Sequence, residues 1–125
     1  MVVILVAGAA GMVGLSLGSF IGLVADRLPA GRSIVHGRSQ CPACARTLTV
    51  IDLIPVAGYA LRRGHCAGCG SLIGWRYPIL EAGAALLMVG AVVWLGPVGG
   101  AVAGLFLVAA LGSAVVVTAT RRSPR

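Results

Sequence analysis

The stretch from Cys41 to Cys69 reads CPACARTLTVIDLIPVAGYALRRGHCAGC and contains two Cys-x-x-Cys pairs, Cys41/Cys44 and Cys66/Cys69. A pair with this spacing directs two thiolates from one tight turn towards a single ion, and two pairs supply the four sulfur ligands of a closed tetrahedral zinc site. The pairs therefore predict a small zinc-ribbon-like fold. Two disulfides, or redox-active pairs, are the alternatives.

The rest of the chain is strongly apolar. Of its 125 residues 58% are hydrophobic and 10% are charged, and the mean hydropathy is +1.00. Because soluble domains carry about 25% charged residues, this composition indicates an integral membrane protein that is surrounded by lipid. The formal net charge of +7 could suggest nucleic acid, but no basic helix interleaved with aromatic residues occurs, so no nucleic-acid partner is predicted.

Three apolar runs have the length of about 20 residues that a helix needs to cross the hydrocarbon core. The first run lacks the basic start of a signal peptide, so it is expected to remain as a transmembrane helix. The predicted fold is membrane all-α, with a small cytosolic loop domain between the first and second of three transmembrane helices. The predicted segments are helix 1–24, zinc-binding loop domain 25–78, helix 79–95, external turn 96–100, helix 101–119 and basic cytosolic tail 120–125.

The arginines indicate the orientation of these helices. All ten basic residues are arginine, and none lies in the predicted turn between the second and third helices. Basic residues remain on the cytoplasmic side, so the loop and the C-terminus are predicted to be cytoplasmic and the N-terminus outside, in a bacterial inner membrane. Seven lie in the loop, Arg27, Arg32, Arg38, Arg46, Arg62, Arg63 and Arg76, and three in the tail, Arg121, Arg122 and Arg125.

A cytoplasmic loop favours zinc over disulfides, because the bacterial cytosol keeps thiols reduced. Four cysteines complete a zinc site, so His36 and His65 are not expected to be ligands. Between the pairs, the β-branched run Thr47–Ile54 predicts a short strand that ends at Pro55, and Tyr59–Leu61 predicts a brief second element.

Small residues form a stripe along the first predicted helix, where Gly14, Gly18 and Gly22 recur at every fourth position. Such a stripe lets a neighbouring backbone approach closely. Packing within one bundle is favoured over dimerisation, and complementary contacts are expected from Gly83, Gly90, Gly104 and Gly112.

Glu81 lies about one turn into the second predicted helix, after Pro78. A carboxylate near a helix N-terminus is favoured by the helix dipole. It is expected to be an interfacial anchor that pairs with Arg76 or Arg27 rather than a catalytic acid.

A set of short motifs is spaced along residues 14–81: Gly18-Ser19-Phe20, Arg27-Leu28-Pro29, Cys41-Pro42-x-Cys44, Asp52-Leu53-Ile54-Pro55-Val56, Tyr59, Arg63-Gly64-x-Cys66-x-x-Cys69-Gly70 and Arg76-Tyr77-Pro78-x-x-Glu81. In these motifs the chain resembles the N-terminal part of type IV prepilin peptidases, the bifunctional leader peptidase/N-methyltransferases of type IV pilus and type II secretion systems. The resemblance implies zinc in the cysteine loop and S-adenosylmethionine as methyl donor. It also implies that Gly64 and the four cysteines serve methyl transfer to pilin-like precursors.

The family's two catalytic aspartates lie in Asp-x-x-x-x-x-Leu-Pro-Asp and Gly-x-Gly-Asp contexts, and neither motif occurs in these 125 residues. Peptidase activity is therefore not expected from this chain alone. Three hypotheses follow: an N-terminal half that works beside a separate peptidase half, a stand-alone methyltransferase, or a non-enzymatic zinc-binding scaffold or remnant of the family.

Overall fold

The structure is a computed structural model, and it describes residues 1–122. In this part of the chain there are four α-helices, α1 (Val2–Arg27), α2 (Ala57–Leu61), α3 (Arg76–Leu95) and α4 (Pro97–Arg122), and a 3₁₀ helix at Ile51–Leu53. The helices α1, α3 and α4 are long and apolar enough to cross a membrane. The predicted fold class, an all-helical membrane protein with three long apolar helices, is confirmed.

The long helices extend beyond the apolar runs that indicated them. Helix α1 continues to Arg27, and α3 begins at Arg76 rather than at residue 79. Only Gly96, with φ 81°, separates α3 from α4, because Pro97 is well placed at the first position of a helix. Of the predicted tail, residues 120–122 continue α4, and residues 123–125 lie outside the described residues.

The glycine stripe of α1 packs against α3 in the same chain. Gly14, Gly18 and Gly22 are buried, and a Cβ atom at Gly14 would lie 2.6 Å from the carbonyl oxygen of Ala84. A Cβ atom at Gly22 would lie 3.0 Å from the ring of Tyr77. The stripe therefore serves packing within the bundle, as predicted.

Two of the four complementary glycines make the expected contacts. A Cβ atom at Gly104 would lie 2.9 Å from Sδ of Met88, and one at Gly112 would lie 2.6 Å from Cδ1 of Ile21. For Gly83 and Gly90 the prediction is wrong, because no heavy atom outside the adjoining residues and the nearby backbone of α3 lies within 4 Å of a Cβ atom built there.

A small apolar core joins the three long helices. It consists of Ala10 from α1, Ala84, Met88 and Val92 from α3, and Val108 from α4. Helix α3 contacts both of its neighbours, and α1 also contacts α4. One end of this bundle carries the chain between α1 and α3. Its part from 39 to 72 contains the four cysteines, and we call it the cysteine segment.

The predicted strand at Thr47–Ile54 is wrong. The backbone of the segment pairs only as isolated bridges between Gln40 and Thr47 and between His65 and Leu72, and Ile51–Leu53 form the 3₁₀ helix. The cause is Asp52, whose carboxylate accepts hydrogen bonds from the N–H (2.9 Å) and the hydroxyl (2.8 Å) of Thr49. This local bonding closes a turn and overrides the β-propensity of the run. The predicted element at Tyr59–Leu61 lies within α2.

Candidate metal centre

Each cysteine pair lies in a turn of the same design, 25 residues apart in the chain. The N–H of Cys41 donates to the carbonyl of Arg46 (2.9 Å), and the N–H of Ala45 donates to that of Cys41 (2.9 Å). In the second turn the N–H of Cys66 donates to the carbonyl of Ser71 (2.8 Å), and the N–H of Gly70 donates to that of Cys66 (2.9 Å). The residue after each second cysteine is left-handed, with φ 57° at Ala45 and 70° at Gly70. We call these turns the first and second knuckle.

The two knuckles bring all four sulfur atoms together. The Sγ atoms lie within 4.8 Å of one another, with 3.8 Å between Cys41 and Cys69 and 4.0 Å between Cys44 and Cys66. Four sulfurs at 2.3 Å from a tetrahedral zinc ion are separated by about 3.8 Å, whereas a disulfide bond is about 2.05 Å long. The cluster can therefore hold a metal ion, and its dimensions are compatible with zinc.

Hydrogen-bond donors favour the thiolate at Cys41 and Cys66, whereas at Cys44 the backbone N–H of Arg46 is outweighed by the Cys69 sulfur and by burial, which raise the pKa of Cys44 to about 11. Cys41 and Cys66 are buried, and the hydroxyl of Ser71 lies 3.5 Å from the Cys41 sulfur and 3.1 Å from that of Cys69. This hydroxyl, together with backbone N–H groups of the knuckle, lowers the pKa of Cys41 to about 6. Backbone N–H groups of Cys69 and Gly68 lower the pKa of Cys66 in the same way. The thiolate is the form that binds a metal ion.

Neither histidine joins the cluster in the described residues. His65 Nδ1 lies 2.6 Å from the carbonyl oxygen of Arg63, and His36 is contacted through its carbonyl oxygen by Arg27. The group of candidate metal ligands that the structure forms in residues 1–122 consists of the four cysteines.

Asp52 links the two knuckles, a role that sequence reasoning missed. Its side chain is 5% exposed and accepts hydrogen bonds from Arg46 (2.7 Å), just after the first knuckle, and from Arg62 (2.6 Å), shortly before the second. The N–H and hydroxyl of Thr49, and then the two guanidinium groups, hold the pKa of Asp52 well below its usual range. The family resemblance marked the motif that begins at Asp52, but only the fold places the two arginines beside it.

Replacing Asp52 with asparagine is expected to loosen both knuckles. Asparagine removes the charge between two arginines whose side chains are only 29% and 31% exposed. We expect a loss of about 1–3 kcal/mol in the free energy of unfolding of the cysteine segment, measured as faster metal release to a chelator. Folding lowers the pKa of Asp52, so its contribution to the free energy of unfolding depends on pH. The contribution is complete at a pH above the ordinary aspartate pKa of about 4, and it is lost as the pH falls through the folded-state pKa.

The matched control is Asp26→Asn, because Asp26 pairs with Arg76 at the ends of α1 and α3 and not with the knuckles. If both variants released the metal ion to the chelator at the same rate, Asp52 would not be the residue that holds the knuckles together.

Glu81 has a different partner from the one predicted. It is buried, with 7% exposure, and Oε2 accepts a hydrogen bond of 2.6 Å from the N–H of Val56. The expected pairing with Arg76 or Arg27 is wrong, since Arg76 pairs with Asp26. Arg27 instead donates to backbone carbonyl groups of the loop, those of Ser33, His36 and Gly37.

A cavity of about 550 Å³ lies between the cysteine segment and the adjoining ends of α1 and α3. Its charged lining has six arginines and three carboxylates, an excess of three positive charges. Each carboxylate already has a hydrogen-bond partner, so the cavity favours an anionic group on a ligand. The charged residues are Arg27, Arg32, Arg38, Arg46, Arg62, Arg76, Asp26, Asp52 and Glu81.

Gly64 is buried beside the second knuckle and has φ 71°. A Cβ atom there would lie 2.9 Å from the hydroxyl oxygen and 3.0 Å from Cζ of Tyr59. Tyr59 also lines the cavity, and its carbonyl oxygen accepts a hydrogen bond of 3.0 Å from the Gly64 N–H. The geometry therefore gives Gly64 a steric reason to be glycine.

The helices and the sulfur cluster define a multi-pass membrane protein with a four-cysteine site, of a kind that can hold a metal ion, at one end of its bundle. A model of the bacterial peptidase A24 N-terminal domain matches residues 12–95, which include α1 from Met12 onwards, both knuckles and all of α3. The chain belongs to this family.

Several curated relatives carry the name prepilin leader peptidase/N-methyltransferase. The one from Bacillus subtilis strain 168 is 42% identical over 78 residues, 62% of this chain and 32% of the relative. Those from Myxococcus xanthus and Burkholderia pseudomallei strain 1026b are each 41% identical, over 56% and 69% of this chain and 21% and 28% of the relatives. The chain thus spans about a fifth to a third of their length. No solved structure matches it significantly.

Proposed function

We propose that this chain is the zinc-binding, membrane-embedded N-terminal part of a prepilin leader peptidase/N-methyltransferase, and that it acts in the N-methylation and processing of type IV pilin-like precursors. The observation that carries the proposal is the four-sulfur cluster, with spacings compatible with zinc, inside the region that the family domain covers. The relatives' name supplies the activity.

The proposed location is the bacterial inner membrane, with the N-terminus outside and the cysteine segment in the cytoplasm. It is supported by the arginines, seven of which lie between the first and second long apolar runs. A bacterial cytoplasm keeps the cysteines reduced, so zinc rather than a disulfide is the expected state of the cluster. Zinc would crosslink the two knuckles through all four thiolates and stabilise a segment too small to form its own apolar core.

The methyl donor that we propose is S-adenosylmethionine, held in the cavity between the cysteine segment and the helix ends. Its carboxylate can pair with Arg32 or Arg38 in the lining, neither of which has a side-chain hydrogen bond within residues 1–122. In the transfer the new N–C bond forms as the S–C bond of the donor breaks, and the amine loses a proton. The role of the chain's own residues is to bind the donor at the membrane surface, where an amine at the end of a membrane helix can reach it.

The test is methyl transfer by the purified chain in lipid nanodiscs, with radiolabelled S-adenosylmethionine and a pilin peptide that has a free N-terminal amine. Because the chain spans only part of its relatives, the assay is run both alone and with a separately supplied peptidase half. Label in the peptide is expected for the wild type and for His65→Ala, and not for Cys66→Ser. Transfer no greater than that of Cys66→Ser, in both formats, would contradict the proposed activity and leave a zinc-binding scaffold as the second candidate.

A further inference from the structure

Val56 has an unusual backbone conformation at the point where α2 begins. Its φ is 58° and its ψ is −49°, a combination that a β-branched residue rarely adopts, and the N–H of Ala57 donates to the carbonyl of Pro55 (2.5 Å), which closes a γ-turn centred on Val56. A residue in such a conformation persists only if its surroundings hold it there. From outside the turn, Val56 is held by the carboxylate of Glu81, which accepts its N–H at 2.6 Å.

Glu81 is itself fixed by the packing of the long helices. A Cβ atom at Gly18 of α1 would overlap the backbone of α3 at Leu80 and at the Cα atom of Glu81, so the two helices approach closely at this residue. The Glu81 side chain is buried at this crossing and has little freedom to move. Within residues 1–122, its bond to Val56 is the hydrogen bond that joins the segment 39–72 to a long helix.

From Val56 the contacts continue to the second knuckle. The carbonyl of Val56 accepts the N–H of Ala60 (3.0 Å) in α2, and α2 carries Tyr59. The Tyr59 ring packs on Gly64, two residues before Cys66. The position of the knuckle over the helix ends therefore depends on the conformation of the Val56 turn.

We propose that Glu81 is a positioning residue, whose carboxylate holds the Val56 turn in its positive-φ conformation and thereby fixes the cysteine segment over the ends of α1 and α3. The structural claim stands without the proposed methyl transfer. Its consequence for a ligand, that Glu81 sets the shape of the donor cavity, rests on the proposed function.

Hydrogen exchange of the full chain in nanodiscs, without methyl donor, tests the structural claim. Glu81→Ala is expected to speed exchange of the amides at 56–61 by about tenfold or more, because a hydrogen bond to a charged acceptor is lost. Glu81→Gln keeps a neutral acceptor and should give an intermediate rate. The zinc content and the helix content by circular dichroism should match the wild type in both variants.

A second variant separates the strain from the hydrogen bond. Glycine adopts φ 58° without a Cβ clash, so Val56→Gly in the Glu81→Ala background is expected to recover part of the protection. Unchanged exchange in Glu81→Ala would overturn the proposal. So would loss of zinc together with fast exchange across 39–72, since Glu81 would then be needed for folding rather than for position.

The consequence for ligand binding, that Glu81 sets the shape of the donor cavity, is tested separately. The measurement is the affinity of each variant for S-adenosylhomocysteine by calorimetry. Weaker binding in Glu81→Ala, with recovery in Glu81→Gln, supports the positioning role at the cavity. If the wild type does not bind this probe at all, the proposed donor site fails while the exchange result still decides the role of Glu81.

Discussion

Replacing Cys66 with serine is expected to empty the metal site and unfold the cysteine segment while leaving the membrane helices intact. Cys66 is buried and its sulfur lies 4.0 Å from that of Cys44, so its loss removes one of four ligands and opens the second knuckle. Changes to groups that only support metal ligands cost about 10–100-fold in affinity, and loss of a ligand should exceed about 100-fold. Competition with a chromogenic zinc chelator measures this change.

His65→Ala is the matched control, because His65 precedes Cys66 and bonds to the Arg63 carbonyl rather than joining the cluster. It should keep wild-type zinc affinity. Hydrogen exchange should show loss of protection across 39–72 in Cys66→Ser alone, with α1, α3 and α4 unchanged. Wild-type protection in a metal-free Cys66→Ser chain would mean that the segment folds without a metal ion.

Replacing Gly64 with alanine is expected to displace the second knuckle without touching any ligand. Two costs add at this position. The residue has φ 71°, and the new methyl group would meet the Tyr59 hydroxyl at 2.9 Å. Together they should lower the free energy of unfolding of the metal-bound segment by about 2–4 kcal/mol. The observable effects are faster zinc release and, under the proposed function, loss of methyl transfer.

Gly70→Ala is the control that measures the cost of the positive φ alone, without a steric contact. Gly70 has φ 70°, nearly the same as Gly64, but no heavy atom lies within 4 Å of a Cβ atom built there. Its expected cost is about 1 kcal/mol. If both alanine variants released zinc at the same rate, the contact with Tyr59 would not matter, and a steric origin for the role of Gly64 would be refuted.

The long helices could be predicted because a bilayer leaves an apolar chain few choices. Backbone polar groups within lipid must bond within the chain, so runs such as 2–24 become helices despite their many glycines. The sulfur cluster could also be predicted, because the Cys-x-x-Cys spacing fixes the shape of each turn. In both cases residues close in the sequence determine the local structure, a helix or a single knuckle.

The remaining features depend on residues that lie far apart in the sequence. The run at Thr47–Ile54 has the composition of a strand, but Asp52 meets Arg46 and Arg62 only after the two knuckles come together. Glu81 was expected to pair with a nearby arginine, whereas its partner is the backbone of Val56, 25 residues away. The side-chain pattern of a sequence cannot reveal a hydrogen-bond partner that is a main-chain N–H group.

The glycines of α3 and α4 show a similar limit. A Cβ atom at Gly104 or Gly112 would contact another helix, whereas one at Gly83 or Gly90 would not. All four residues are glycines within apolar helices, so the sequence does not distinguish them. Which glycine faces a neighbour depends on the rotation of each helix about its axis. That rotation is determined by the close approaches at Gly14 and Gly18, where the backbone of α3 lies against α1.

The central claim is that the four cysteines hold one zinc ion. Metal analysis and zinc X-ray absorption of the intact chain, purified in lipid nanodiscs under reducing conditions, test it most directly. We expect one zinc per chain and a first shell of four sulfur atoms at about 2.3 Å. A chain that is folded over 39–72 but lacks zinc, or a zinc shell that contains nitrogen or oxygen in place of sulfur, would contradict the claim.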